Sequence, residues 1–252
     1  MRRFLTALAF LTRVPVRHAD CAPEAIGRSA SVFPLVGALL GVVDVCILWM
    51  LRRVMPPALV AILVVLAGIL LTGALHFDGL ADTADGLGGG RTREDVLRIM
   101  RDHQIGTYGA IALIVVLMLR IAAVATLIER DIAEKWLIAA PVAGRWSIVL
   151  LGRWLPYART DGGLGRAVTD HAGIQELIAA TLVTVVLVWS VSGGAGVVGI
   201  GATVVVTSLT ALASWRRIGG VTGDIFGANV VMCETAVLLA AVVGAGRSLL
   251  IY

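Results

Sequence analysis

The sequence predicts an all-α protein, a polytopic bundle of membrane-spanning helices with one polar working face. Three observations point there. Hydrophobic residues make up 58% of the 252 residues and mean hydropathy is +0.92, above the range of a soluble globular domain. Seven apolar runs, 32–51, 57–76, 108–128, 136–152, 174–192, 195–214 and 229–249, come close to or reach the roughly 20 residues a helix needs to cross a hydrocarbon core. The segments joining them carry unequal positive charge, fourteen arginines on one side and five basic residues on the other. The chain reads as a single integral-membrane domain over 1–252.

The elements follow in order. Met1–Arg13 is apolar over too short a stretch for a crossing, and Arg13 and Pro15 stand where a leader peptide would have a small-residue cleavage site. It reads as an interfacial amphipathic helix. The first run contains Gly37 and Gly41, a GxxxG packing motif. Pro141, Gly144 and Arg145 interrupt the fourth run. The positive-inside rule puts the arginine-rich side, and the N-terminus with it, in the cytoplasm. Segments 76–107, 153–173 and 215–228 then share the cytoplasmic face. Asp44 and Arg120 lie about twelve residues into outward-running spans, roughly 18 Å deep at 1.5 Å per residue. Unpaired charge there is expensive, so the two are expected to pair with each other.

The chemistry is concentrated after the second run, in His76-Phe77-Asp78-Gly79-Leu80-Ala81-Asp82-Thr83-Ala84-Asp85-Gly86. On a helix Asp78, Asp82 and Asp85 fall at i, i+4 and i+7 and share a stripe. Like charges stacked this way repel, and a divalent cation removes the repulsion. Mg²⁺ takes one or two carboxylates and completes its shell with substrate phosphate oxygens, which points to phosphoryl chemistry. The competing reading is a solvated acidic helix start.

Gly86 to Gly90 follow, then a short surface helix from 92 to 102, capped by Thr92, on which Arg98, Arg101 and Asp102 could face phosphates or a metal. A second glycine-rich segment, Gly219-Gly220-Val221-Thr222-Gly223-Asp224, joins the sixth and seventh runs. Gly219, Gly220 and Gly223 there are candidates for a backbone phosphate cradle. The Gly-Lys-Ser/Thr ending of a Walker loop is absent. Glu234, one turn into the last run, is placed to reach the same site. His76, His103 and His171 share the polar face as hydrogen-bond partners rather than ligands. Cys21, Cys46 and Cys233 are scattered, with no zinc or disulfide spacing. The net charge of +4 follows topology and does not indicate nucleic acid as a partner.

The stretch 76–86 with its following glycines resembles the signature of the cobalamin synthase (adenosylcobinamide-GDP ribazoletransferase) family. So do Phe33-Pro34-Leu35-Val36-Gly37, Ile99-Met100-Arg101-Asp102 with Ile105-Gly106-Thr107-Tyr108-Gly109-Ala110, Gly144-Arg145-Trp146, Pro156-Tyr157-Ala158-Arg159 and Gly219 to Asp224. His103 replaces a small hydroxyl residue and Phe77 an acid that the pattern favours. The resemblance implies a Mg²⁺-dependent transferase of the bacterial inner membrane, active on its cytoplasmic face. It would join adenosylcobinamide-GDP to α-ribazole or its 5′-phosphate and release GMP. On that reading Asp78, Asp82 and Asp85, helped by Asp102 or Asp224, hold one or two Mg²⁺ ions. Asp85, or Asp82 beside it, serves as the base, and Arg101, Arg145 and Arg159 contact phosphates. The partners are the two substrates and the lipid bilayer, with self-association left open. Two rivals remain: a transporter whose acids relay ions, and a phospholipid-forming CDP-alcohol phosphotransferase.

Overall fold

The computed structural model describes residues 1–17, 19–163 and 165–248, and residue 249 of the last expected run lies outside these. The described residues form α1 (Arg2–Leu11), α2 (Pro23–Ser29), α3 (Phe33–Leu51), α4 (Pro57–Thr72), α5 (Leu75–Gly89), α6 (Arg93–Ile99), α7 (Thr107–Glu129), α8 (Ala133–Trp154), α9 (Arg166–His171), α10 (Ile174–Ser192), α11 (Gly196–Ile218) and α12 (Gly223–Ser248). Among the described residues there is no strand ladder, only an isolated bridge between Tyr157 and Val221. A helical membrane bundle is what the sequence predicts.

Among the described residues each of the seven expected runs is helical apart from the break at Gly73 and Ala74 in the second, but length and apolarity identify fewer crossings. Four stretches are long and apolar enough to cross a membrane on their own: Pro23–Leu51, Thr107–Glu129, Ile174–Ile218 and Gly223–Gly244. A fifth arises only if α4 and α5, bent by 89° at Gly73 and Ala74, are taken together. The expected count of about seven is therefore not established, for two physical reasons. Helix α8 carries Glu134, Lys135, Arg145 and Arg153, so it falls short on composition although it is buried along most of its length. The 45-residue stretch 174–218 is broken by a 3₁₀ turn at Gly193–Ala195. Straight, it would span about 67 Å at 1.5 Å per residue, twice a hydrocarbon core. Instead it folds back: Trp146 of α8 donates to Thr181 (3.0 Å) on the first leg, while Thr207 on the second leg meets Cys233, the neighbour of the Glu234 that packs on Gly144.

Helix α8 is the central post, with α3, α10, α11 and α12 packed around it. Gly37 and Gly41 of α3 lie on the backbone of Pro141–Val142 and Leu137–Ile138, with no room for a Cβ, so the GxxxG motif packs as expected. Helix α5 leaves the end of α4 through two left-handed residues, Gly73 (φ 62°) and Ala74 (φ 59°). That bend lays the acidic stripe across the end of the bundle against α12. The surface helix expected over 92–102 is shorter, α6 ending at Ile99, but its cap is as read. Thr92 Oγ1 accepts from Asp95 N–H (3.2 Å) and Asp95 accepts from Thr92 N–H (3.4 Å).

Candidate active site

Glycines bring the acids together. A Cβ on Gly79 of α5 would lie 2.6 Å from the Asp224 carbonyl oxygen, and one on Gly227 of α12 would lie 3.2 Å from His76 Cα. The two bare positions let the helices approach backbone to backbone, which carries Asp78 and Asp82 to the N-terminus of α12, where Asp224 sits. Thr222 caps that terminus, its Oγ1 accepting from Ile225 N–H (3.3 Å) and donating to Asp224 (3.2 Å). The loops at residues 156–158 and 219–221 are zipped by Ala158 N–H to Val221 O (2.8 Å) and Val221 N–H to Pro156 O (2.9 Å). This register sets Arg159 against Asp224 at 2.7 Å.

Two hollows meet here. A polar cleft of about 480 Å³ is lined by Asp78, Asp82, Arg101, Asp102, His103 and Arg159, among others. An apolar slot of about 220 Å³ lies on the other side of Asp78 and Arg159, which line both. Within the cleft, Asp82 feels the negative charges of Asp224, Asp78 and Asp85, opposed by Arg159. Arg159 is engaged by Asp224, and Arg101 by Asp161, whose carboxyl it holds below the usual carboxylate range. Among the described residues neither arginine forms an ion pair with Asp78 or Asp82. Among the described residues no three acids, histidines or cysteines close around a common point as a metal cage. Two carboxylates in an open cleft suit Mg²⁺, which leaves positions for water and substrate phosphate.

Several expected site residues lie elsewhere. Asp85 shares the stripe but is buried. Its two oxygens accept the backbone N–H groups of Gly106 and Gly109, both at 2.8 Å. It caps the N-terminus of α7 from another helix, satisfying donors that end would otherwise strand. The expectation of Asp85 as general base gives way to this positioning role. Spacing alone could not show it, because the partners are bare amides 21 and 24 residues on.

Arg145 does not reach the phosphate face. It is buried in the bundle and ion-paired to Glu234, which also binds Arg120 at 2.7 Å. The expected Asp44–Arg120 pair is thus replaced, since Glu234 takes both arginines and Asp44 Oδ1 has no hydrogen-bond partner among the described residues. Glu234 correspondingly faces an internal cavity of about 40 Å³ with Asp44, His76, Arg120 and Arg145, rather than the cleft.

Gly219 and Gly220 serve the turn instead of a phosphate cradle. Gly219 ends α11 in the left-handed region (φ 69°), and a Cβ on Gly220 would meet the Pro156 carbonyl oxygen at 2.5 Å. Gly223 does line the slot. Sequence reasoning missed the staples of this face. Arg93 donates to the carbonyls of Ile218 (2.9 Å) and Ala158 (2.8 Å), and Arg217 to that of Leu87 (2.9 Å). It also missed the apolar slot, whose signal was two aromatic residues in polar or glycine-rich surroundings, Tyr157 in the loop after α8 and Phe226 in the first turn of α12.

Comparison with known proteins finds matches over nearly the whole chain. The family model described as cobalamin-5-phosphate synthase matches residues 3–242. The adenosylcobinamide-GDP ribazoletransferase of Azorhizobium caulinodans is 43% identical over 243 residues, 92% of each chain. That of Desulforamulus reducens is 39% identical over 240 residues, covering 94% of this chain and 95% of the relative. That of Pseudomonas syringae pv. syringae is 40% identical over 245 residues, covering 95% and 98%. No solved structure matches.

Proposed function

The chain belongs to the cobalamin-5-phosphate synthase family, and from that premise we propose a transferase joining adenosylcobinamide-GDP to α-ribazole or its 5′-phosphate. A ribose hydroxyl oxygen of the acceptor bonds to the phosphorus that carries the cobinamide. The bond from that phosphorus to the bridging oxygen breaks, and GMP leaves with the electron pair. The chain acts as one membrane domain, with the cleft on the cytoplasmic side of the inner membrane.

The observation that carries the mechanism is the excess of acid over base in the cleft, where Asp78 and Asp82 lack an ion-pair partner among the described residues. They are the residues that would hold Mg²⁺, with Asp102 at the rim. Bound there, the ion would offset the pyrophosphate charge and make the phosphorus more electrophilic. Asp82, among like charges, is the carboxylate best suited to take the acceptor's proton. Arg159 and Arg101 present guanidinium groups to phosphate oxygens, their partners Asp224 and Asp161 holding them in place. Asp85 fixes α7 against α5, and so the cleft wall.

The test is GMP release and cobalamin formation by purified protein given adenosylcobinamide-GDP and α-ribazole, with CDP-diacylglycerol offered in parallel. Product from the first pair alone is expected, and phospholipid product instead would replace this reading with the lipid one. For topology, Arg91→Cys and Arg166→Cys, in a background with Cys21 and Cys46 changed to Ser, should react with an impermeant maleimide only after cells are opened. Labelling in intact cells would invert the orientation.

A further inference from the structure

The apolar slot next to the carboxylate cleft has no part in the mechanism so far. Its walls include Phe10, Leu11, Ile148, Tyr157, Val168 and Phe226, drawn from α1, α8, α9, α12 and the loop after α8. We infer that this slot is the acceptor subsite and takes an uncharged bicyclic aromatic base, with the attached ribose at the Asp78–Arg159 boundary. The inference rests on the proposed transferase reading.

Three features argue for that occupant. The first is size. At about 220 Å³ the slot is smaller than the roughly 300–1,000 Å³ of sites that enclose a whole ligand, so it receives part of a molecule. A base fits that description, and a corrin does not.

The second is chemistry. A guanine needs donors and acceptors along its edge, and leaving them unpaired in an apolar site is penalised. Asp78 and Arg159 stand at the slot's boundary with the cleft, Asp224 is taken up by Arg159 and Thr222, and beyond these the slot offers His76 and the Tyr157 hydroxyl, whose proton burial makes harder to remove. A benzimidazole with an apolar edge loses nothing there, and the aromatic rings of Tyr157, Phe226 and Phe10 supply faces and edges for it. The guanosine and the pyrophosphate are left to the larger polar cleft.

The third is connection. Asp78 and Arg159 line both hollows. A base seated in the slot therefore places its sugar beside the carboxylates, where a hydroxyl can meet the phosphorus. Glycines keep the slot open: a Cβ on Gly165 would lie 3.0 Å from the Phe226 ring. Gly223 is different, since a Cβ there meets no atom within 4 Å, so a side chain at 223 would fill space rather than collide.

Equilibrium dialysis of tritiated α-ribazole against purified protein in nanodiscs, without donor or metal, reads the slot independently of turnover. Gly223→Leu, which fills the slot, and Phe226→Ala, which removes a wall, should each weaken binding about tenfold or more. In the complete assay the KM for α-ribazole should rise by a similar factor, with the KM for adenosylcobinamide-GDP within about twofold. An adenine nucleoside of the same sugar configuration should bind wild type at least about tenfold more weakly. Unchanged α-ribazole binding in both variants, when melting curves show them folded, would overturn the assignment. So would a rise confined to the donor's KM, or no α-ribazole binding by wild type. If wild type binds α-ribazole in the slot yet makes no product from the two substrates, the transferase reading fails while the subsite stands.

Discussion

Two clusters of acids and arginines lie within a few helical turns of each other and do opposite things. In the bundle interior, Glu234 is clamped between Arg120 and Arg145, with Asp44 and His76 closing the group. At the polar end, Asp78, Asp82 and Asp102 face a cleft whose two arginines, among the described residues, are each held by another acid, Arg159 by Asp224 and Arg101 by Asp161. In the interior cluster the two arginines and Glu234 are paired within the chain itself, which is how ionic groups survive in a low-dielectric setting. The cleft carries unmatched negative charge at a place open to solvent. Residue type does not separate the two. Pairing and access do, and acids that the fold leaves unpaired in an open cleft mark where a cation and a phosphate belong.

The sharpest break of this comparison is to remove one charge from each side. Asp78→Asn and Asp82→Asn should lower turnover about 10²–10³-fold, the scale of losing one electrostatic contributor to a transition state. Folded yield and melting temperature should stay as in wild type, as they should for the remote control Asp20→Asn. Glu234→Gln should do the reverse. It strands Arg120 and Arg145, and breaking a buried pair costs about 3–5 kcal/mol, read as a lower melting temperature in detergent. If Asp82→Asn destabilises the fold as much as Glu234→Gln does, the cleft acids are structural and the distinction falls.

Asp85 sharpens the boundary. Asn keeps one acceptor for the two amides of Gly106 and Gly109, so Asp85→Asn should cost about 1–3 kcal/mol of stability. Its turnover should fall less than that of Asp82→Asn; a greater loss with unchanged stability would return Asp85 to the chemistry. The smallest effect is expected at Asp44. Since Glu234 holds Arg120 and Asp44 only shares its cavity, Arg120→Leu should couple more strongly to Glu234→Gln than to Asp44→Asn, whose double variant should recover nothing. Partial recovery in that double variant would mean that Asp44 and Arg120 pair after all.

Much of this was legible in the sequence. Apolar runs located the helices, the i, i+4 spacing set Asp78 and Asp82 on one cleft wall, and Thr92 announced its own cap. Partner choice was not. Arg145 and Glu234 are 89 residues apart, and nothing local says that they meet. Asp85 has the same spacing as its neighbours but ends opposite Gly106 and Gly109, and only the tertiary contact distinguishes it. Gly219 and Gly220 look like phosphate binders in sequence because close backbone approach and a left-handed turn call for the same residue. The slot drew no attention because its walls come from distant segments, each ordinary on its own.

The central claim is that Asp78 and Asp82 lack a positive partner because a divalent cation supplies it. It is tested most directly by measuring cobalamin formation by purified protein as Mg²⁺ is titrated from a chelated start, in wild type and Asp82→Asn. Wild type should be silent in chelator and saturate with Mg²⁺, while the variant's residual activity should need at least about tenfold more Mg²⁺. Full wild-type turnover in excess chelator, or the same Mg²⁺ dependence in both proteins, would contradict the account.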